Sequence, residues 1–250
     1  MRFFAPERMY PPAGVFSAAH FVMLGVTIVL IALALWLSRN ATHAQVRRII
    51  RILTAVLWGL EICKILFNFS IGNIGDPNTY APLYFCSLAL YAGLLSSVCT
   101  GKLQRVGDVF LATGNLVGGV TFLLLPISSM TVYPAMHFIV FHSFILHGVM
   151  TYLSLLILMR GFCKPKKTDF FGYFLMLLLI CIAALLVNLQ CGTNLMFISQ
   201  SVPGTPLALL YDLTGALFTP LLILGQATVP FWGMYGILTL VARIRAGKRS

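Results

Sequence analysis

The stretch HFIVFHSFILHGVMTYLSLLILM, residues 137–159, contains no Asp, Glu, Lys or Arg, and RGFCKPKK, residues 160–167, follows it directly. An uncharged run of this length crosses roughly 30 Å of hydrocarbon as a helix rising about 1.5 Å per residue. The basic cluster that ends it is the pattern of a membrane span meeting the cytoplasmic surface.

Six more apolar runs flank this one. They cover about 15–38, 48–71, 82–99, 106–126, 170–190 and 218–241. None alternates as a barrel strand would, and open sheets leave backbone groups unsatisfied in lipid, so helices are required. The expected fold is therefore an all-α bundle of seven transmembrane helices. Its expected divisions are a short outer segment 1–14, a transmembrane domain 15–243 and a basic tail 244–250. Three prolines and no apolar core in the first 14 residues give no expectation of a cleavable signal peptide.

Composition agrees with the spans. The chain is 59% hydrophobic and 9% charged, against about 25% charged in soluble domains. The net charge of +11 does not mark a nucleic-acid binder, because the basic residues lie in clusters between apolar runs. Such clusters set topology and meet anionic lipid head groups, so the expected partners are membrane lipids and not nucleic acid. Arg39, Arg47, Arg48 and Arg51 fill the first connection, Lys102 and Arg105 the third, and Arg160, Lys164, Lys166 and Lys167 the fifth. The second, fourth and sixth connections contain no Lys or Arg. The positive-inside rule then places the N-terminus outside and the C-terminus in the cytoplasm of a cell-membrane protein. The sequence sets no oligomeric state.

The last outer connection, CGTNLMFISQSVPGTPLALLYDLTG (191–215), is too apolar for a solvated loop and too broken by Pro and Gly for a span. It reads as a re-entrant or surface-lying segment over the bundle, with an ordinary amphipathic loop as the alternative.

Ionisable groups inside spans are costly and are usually paired or functional. Glu61 and Lys64 in WGLEICKILF (58–67) sit three residues apart on one helix face. They read either as a structural ion pair or as the wall of a substrate or proton site. His137, His142 and His147 are spaced by five, a rotation of about 140° per step, so one helix face cannot gather them around a metal. No Cys-x-x-Cys pair or zinc spacing occurs among the six cysteines, and no metal or cofactor is expected. Cys86 reads as a small apolar filler, as a partner of Cys191 in a disulfide, or as a nucleophile. Asn115 stands among Gly114, Gly118 and Gly119, which permit close helix approach. With His142 and Asn194, the residues Glu61, Lys64, Cys86 and His147 fall at or above the expected midplane, where an outward-opening cavity would collect them.

Three motifs in order, PLYFCSLALY (82–91), FILHGVMTYLSLLIL (144–158) and GTNLMFISQSVPGTP (192–206), resemble the YwaF-like family of bacterial integral membrane proteins. That family is distantly similar to a eukaryotic transmembrane acyltransferase acting on ether phospholipids. The resemblance implies a lipid-directed acyltransferase or hydrolase, with Cys86 as nucleophile, His147 two spans later as base, and Glu61, Lys64, Asn115 and Asn194 as binding or polar support. Around Cys86 the chain departs from the family's more polar surroundings, with Tyr84, Phe85 and Ser87 in their place. The competing reading is a non-catalytic transporter or a small-molecule or lipid-binding protein built on Glu61, Lys64 and Asn115.

Overall fold

A computed structural model describes residues 2–247. Lys248 and Arg249 of the expected basic tail lie outside the described residues. Among the described residues the chain is helical and has no strand. The main helices are α1 (Ala18–Leu37), α2 (His43–Ser70), α3 (Leu88–Val98), α4 (Gly101–Ala112), α5 (Gly114–Leu124), α6 (Phe138–Met159), α7 (Phe170–Cys191), α8 (Pro206–Thr214) and α9 (Phe218–Gly247).

Five of these stretches are long and apolar enough to cross a membrane: Ala18–Leu37, Gly101–Leu124, Phe138–Met159, Lys167–Cys191 and a part of Pro206–Gly247. Helix α2 has 28 residues but carries Arg47, Arg48, Arg51, Glu61 and Lys64. Helix α3 has only 11 residues. The expected third span, 82–99, is therefore not one helix: residues 81–87 are non-helical, with turns only at 85–87, and α3 begins at Leu88. The fourth is broken into α4 and α5 at Thr113 (φ −127°, ψ −86°), whose hydroxyl donates to Val109 O. It also starts earlier than expected, so Lys102 and Arg105 sit on α4 rather than in a loop.

The connections sort to two ends. At the basic end Arg47 Nη1 donates to Asp108 Oδ1 at 2.6 Å and Nη2 to Oδ2 at 2.9 Å, while Ser96 Oγ also donates to Asp108. A bidentate guanidinium–carboxylate pair of this kind fixes orientation as well as charge, and here it clamps α2 to the α3–α4 hairpin. Arg105 makes the same fork with Asp169, which joins α4 to the start of α7. Helix α4 can lie this close to α3 because Gly107 faces the Ala92 carbonyl, where a Cβ would stand 2.4 Å away.

At the other end the N-terminal residues fold over the bundle. Ala13 N donates to Tyr133 O, Gly14 N to Met130 O, and Phe138 N to Phe3 O. His137 Nε2 meets Ala5 O at 3.0 Å, and its Nδ1 accepts from Ile139 N as the N-cap of α6. A carbonyl can only accept, so Nε2 carries the proton.

The connection after α7 does pack onto the bundle, but only in its first half. Leu195, Met196 and Ile198 are fully buried, whereas no residue of α8 is buried. Asn188 holds the turn: Nδ2 donates to Leu195 O and Ser199 Oγ, and Oδ1 accepts from Thr193 Oγ1 and Leu195 N. Met196 and Phe197 both adopt positive φ, 59° and 56°, which costs free energy in side-chain-bearing residues and persists only when the surroundings fix it.

Candidate functional site

The charged residues of α2 are placed as their spacing implies. Glu61 is buried, 1% exposed, with Lys64 Nζ 2.5 Å from Oε1. The structure adds a third member: His142 Nε2, on α6, lies 3.4 Å from Glu61 Oε2. A carboxylate has two oxygens to satisfy, and Lys64 reaches one, so a second donor near Glu61 was implied by burial alone. The sequence could not say which of the three histidines supplies it.

Cys86 stands two residues before α3, not inside a continuous span. The Ser87 amide that follows it donates to Tyr84 O at 2.9 Å. The amides of Leu88, Ala89 and Leu90 at the start of the helix are taken up by Phe85, Cys86 and Ser87 carbonyls. The side chain packs against the apolar cluster of Leu57, Ala89, Leu90, Leu146 and Met150, two of which belong to α6 on either side of His147. Phe85 packs nearby, over Gly118.

His147 is 5% exposed. Its Nδ1 meets Ser143 O at 2.6 Å, so Nδ1 carries the proton and Nε2 the lone pair. The ring stacks on Phe122, centroids 3.7 Å apart and planes at 11°, and it lies within electrostatic range of His142. Gly119 faces the His147 carbonyl and Thr151, where a Cβ would meet Thr151 Oγ1 at 2.6 Å. That absent side chain lets α5 press Phe122 against the imidazole. The three histidines go separate ways: His137 to Ala5, His142 to Glu61 and His147 to Ser143.

The structure thus brings Glu61, Lys64 and His142 together. Two predicted residues lie apart from this group by their bonding. Asn115 is fully buried and spends Nδ2 on Met150 O and Ser154 Oγ, while Ser154 Oγ donates on to Leu111 O. Asn194 serves the outer segment: Oδ1 accepts from Ser199 N and Gln200 N, and its backbone N–H donates to Asn78 Oδ1. Tyr84 OH donates to Asn78 O and its ring meets Phe197 at 5.3 Å, which links the turn carrying Cys86 to the strained segment. Cys86 and Cys191 are both free thiols.

Apolar helices with charged residues buried among them define an all-helical membrane protein. The chain belongs to the TMEM164 family: the family model matches residues 15–235. No curated protein and no solved structure matches it.

Proposed function

We propose that the protein is a thiol-dependent acyltransferase or hydrolase acting on membrane phospholipids, with Cys86 as nucleophile and His147 as base. The observation that carries this reading is the placement of Cys86: a free thiol two residues before α3, packed on the apolar cluster that holds Leu146 and Met150, which flank His147 on α6. A thiolate is the reactive form, and His147, whose Nε2 lone pair is left free by the Ser143 bond at Nδ1, is the base that forms it. His147 Nε2 takes the thiol proton, the sulfur bonds to the acyl carbon, and the alkoxide leaves with that proton. The thioester then passes its acyl group to water or to a second lipid hydroxyl. Glu61 balances Lys64, so the pair carries little net charge into the membrane.

The YwaF-like resemblance and its distant acyltransferase relatives support the same assignment. The topology inferred is seven crossings, N-terminus outside, in the cell membrane. It is supported by the clustering of Arg47, Arg105 and Arg160 at one end and of residues 2–14, 73–80 and 192–200 at the other. The transporter reading draws on the buried Lys64–Glu61–His142 trio, which resembles a proton or ion site.

The test uses the purified chain in phospholipid vesicles. Acyl transfer or release from a labelled phospholipid, with a hydroxylamine-sensitive acyl label on the protein, is expected to vanish in Cys86→Ala and His147→Ala. Turnover unaffected by Cys86→Ala removes the assignment and favours transport.

A further inference from the structure

A groove of about 750 Å³ runs between α1 and α6, lined by Val22, Val26, Leu30, Ala34, Ile145 and Val149, with Tyr152 near one end. From Ala19 to Ala34 its wall spans about 22 Å of α1, most of the hydrocarbon thickness. Thr27 faces it too but spends its hydroxyl on Met23 O, so the walls offer hydrocarbon and little else. The groove opens sideways, since Val22, Val26 and Leu30 are more than half exposed. A helix packed this openly in a bilayer has hydrocarbon chains against it, and a concave apolar channel fits one such chain.

The groove has a polar end of one sign. Tyr152 OH donates to Ser38 Oγ, and Ser38 precedes Arg39. Arg160 Nη1 donates to Arg39 O at 2.6 Å and Nε to Ala41 O at 2.9 Å, which pins one guanidinium beside the residue carrying the other. Arg39 lies over the Trp36 ring, 4.6 Å from its centroid. Among the described residues neither arginine has a carboxylate partner, whereas Arg47 and Arg105 at the same end do. Two arginines without carboxylates at the mouth of an acyl-shaped channel suit a phosphate.

We propose that this groove binds an anionic phospholipid, its acyl chain along α1 and its phosphate at Arg39 and Arg160. The site does not depend on the acyl-transfer reading, because none of Glu61, Lys64, Cys86 and His147 lines it.

The experiment reconstitutes the full chain in vesicles doped with phosphatidylglycerol bearing a diazirine in its acyl chain, and in parallel with the matching phosphatidylcholine probe. Photolabelled residues are located by mass spectrometry. The expected result is labelling of α1 and α6 by phosphatidylglycerol at several times the level given by phosphatidylcholine. Ala34→Phe, which fills the channel, lowers both; Val26→Phe replaces it if that variant does not fold. Arg39→Gln lowers only the anionic probe, because it removes the charge and leaves the walls. Equal labelling by the two probes, unmoved by Arg39→Gln, would make the groove ordinary lipid-facing surface and overturn the proposal. Photocrosslinks between two copies of the chain through α1 would overturn it in favour of self-association.

Discussion

Glu61 on α2 and His142 on α6 meet inside the bundle, Oε2 to Nε2 at 3.4 Å, while Lys64 holds the other carboxylate oxygen. Removing one partner of a buried pair leaves an uncompensated charge, at a cost of about 3–5 kcal/mol, whereas removing both is far milder. Lys64→Ala is therefore expected to lower folded yield in detergent more than the double change Glu61→Ala with Lys64→Ala. Size-exclusion profiles of the two variants decide it; equal losses mean that the pair is not coupled.

Two glycines offer a matched comparison of packing. At Gly107 a Cβ would stand 2.4 Å from the Ala92 carbonyl and 2.6 Å from the Ser96 amide, both backbone atoms, while at Gly225 nothing lies within 4 Å. Gly107→Ala is expected to destabilise by about 1–3 kcal/mol and to loosen the α3–α4 hairpin. Gly225→Ala is expected to be neutral or mildly stabilising. Thermal unfolding in one detergent, run side by side, measures the difference.

The inferred topology makes a direct claim about sides. A cysteine placed at Lys166 in a background free of exposed thiols should react with an impermeant maleimide only after the cells are opened. One placed at Asp76 should react in intact cells. The reverse pattern turns the orientation over.

Cys163, in the connection between α6 and α7, is 2% exposed, and burial pushes its thiol up to about 12. Arg105 Nη1, 3.4 Å from the sulfur, offsets only part of that. At pH 8 almost none of it is thiolate. Its alkylation should be at least about 100-fold slower than that of the exposed Cys191, and should become comparable after denaturation, as peptide mapping of labelled protein would record.

How much of this was legible beforehand depended on range. The 137–159 run became α6 almost residue for residue because an uncharged helix flanked by Arg160 has one low-energy placement in lipid. The Glu61–Lys64 pair was readable because its spacing is local. The start of α3 at Leu88 was not: PLYFCSLALY is apolar enough to continue as helix, and what unwinds it is tertiary, through Tyr84 on Asn78 and Phe197. The break at Thr113 escaped for the same reason, since neither Pro nor charge marks it. Asn115 was read as a binding group because it is polar and central; its Nδ2 donates to Met150 and Ser154, partners on another helix that no spacing rule can name, while its buried Oδ1 has no partner among the described residues.

The N-terminal residues have a consequence for how the chain is made. Phe3, Ala5, Ala13 and Gly14 find their backbone partners at residues 130–138, and His20 finds its own at Leu123 O. Those partners are synthesised more than a hundred residues later. This segment leaves the ribosome well before its partners and is thus late to reach its final place, and α1 must wait in the bilayer until α5 and α6 arrive beside it.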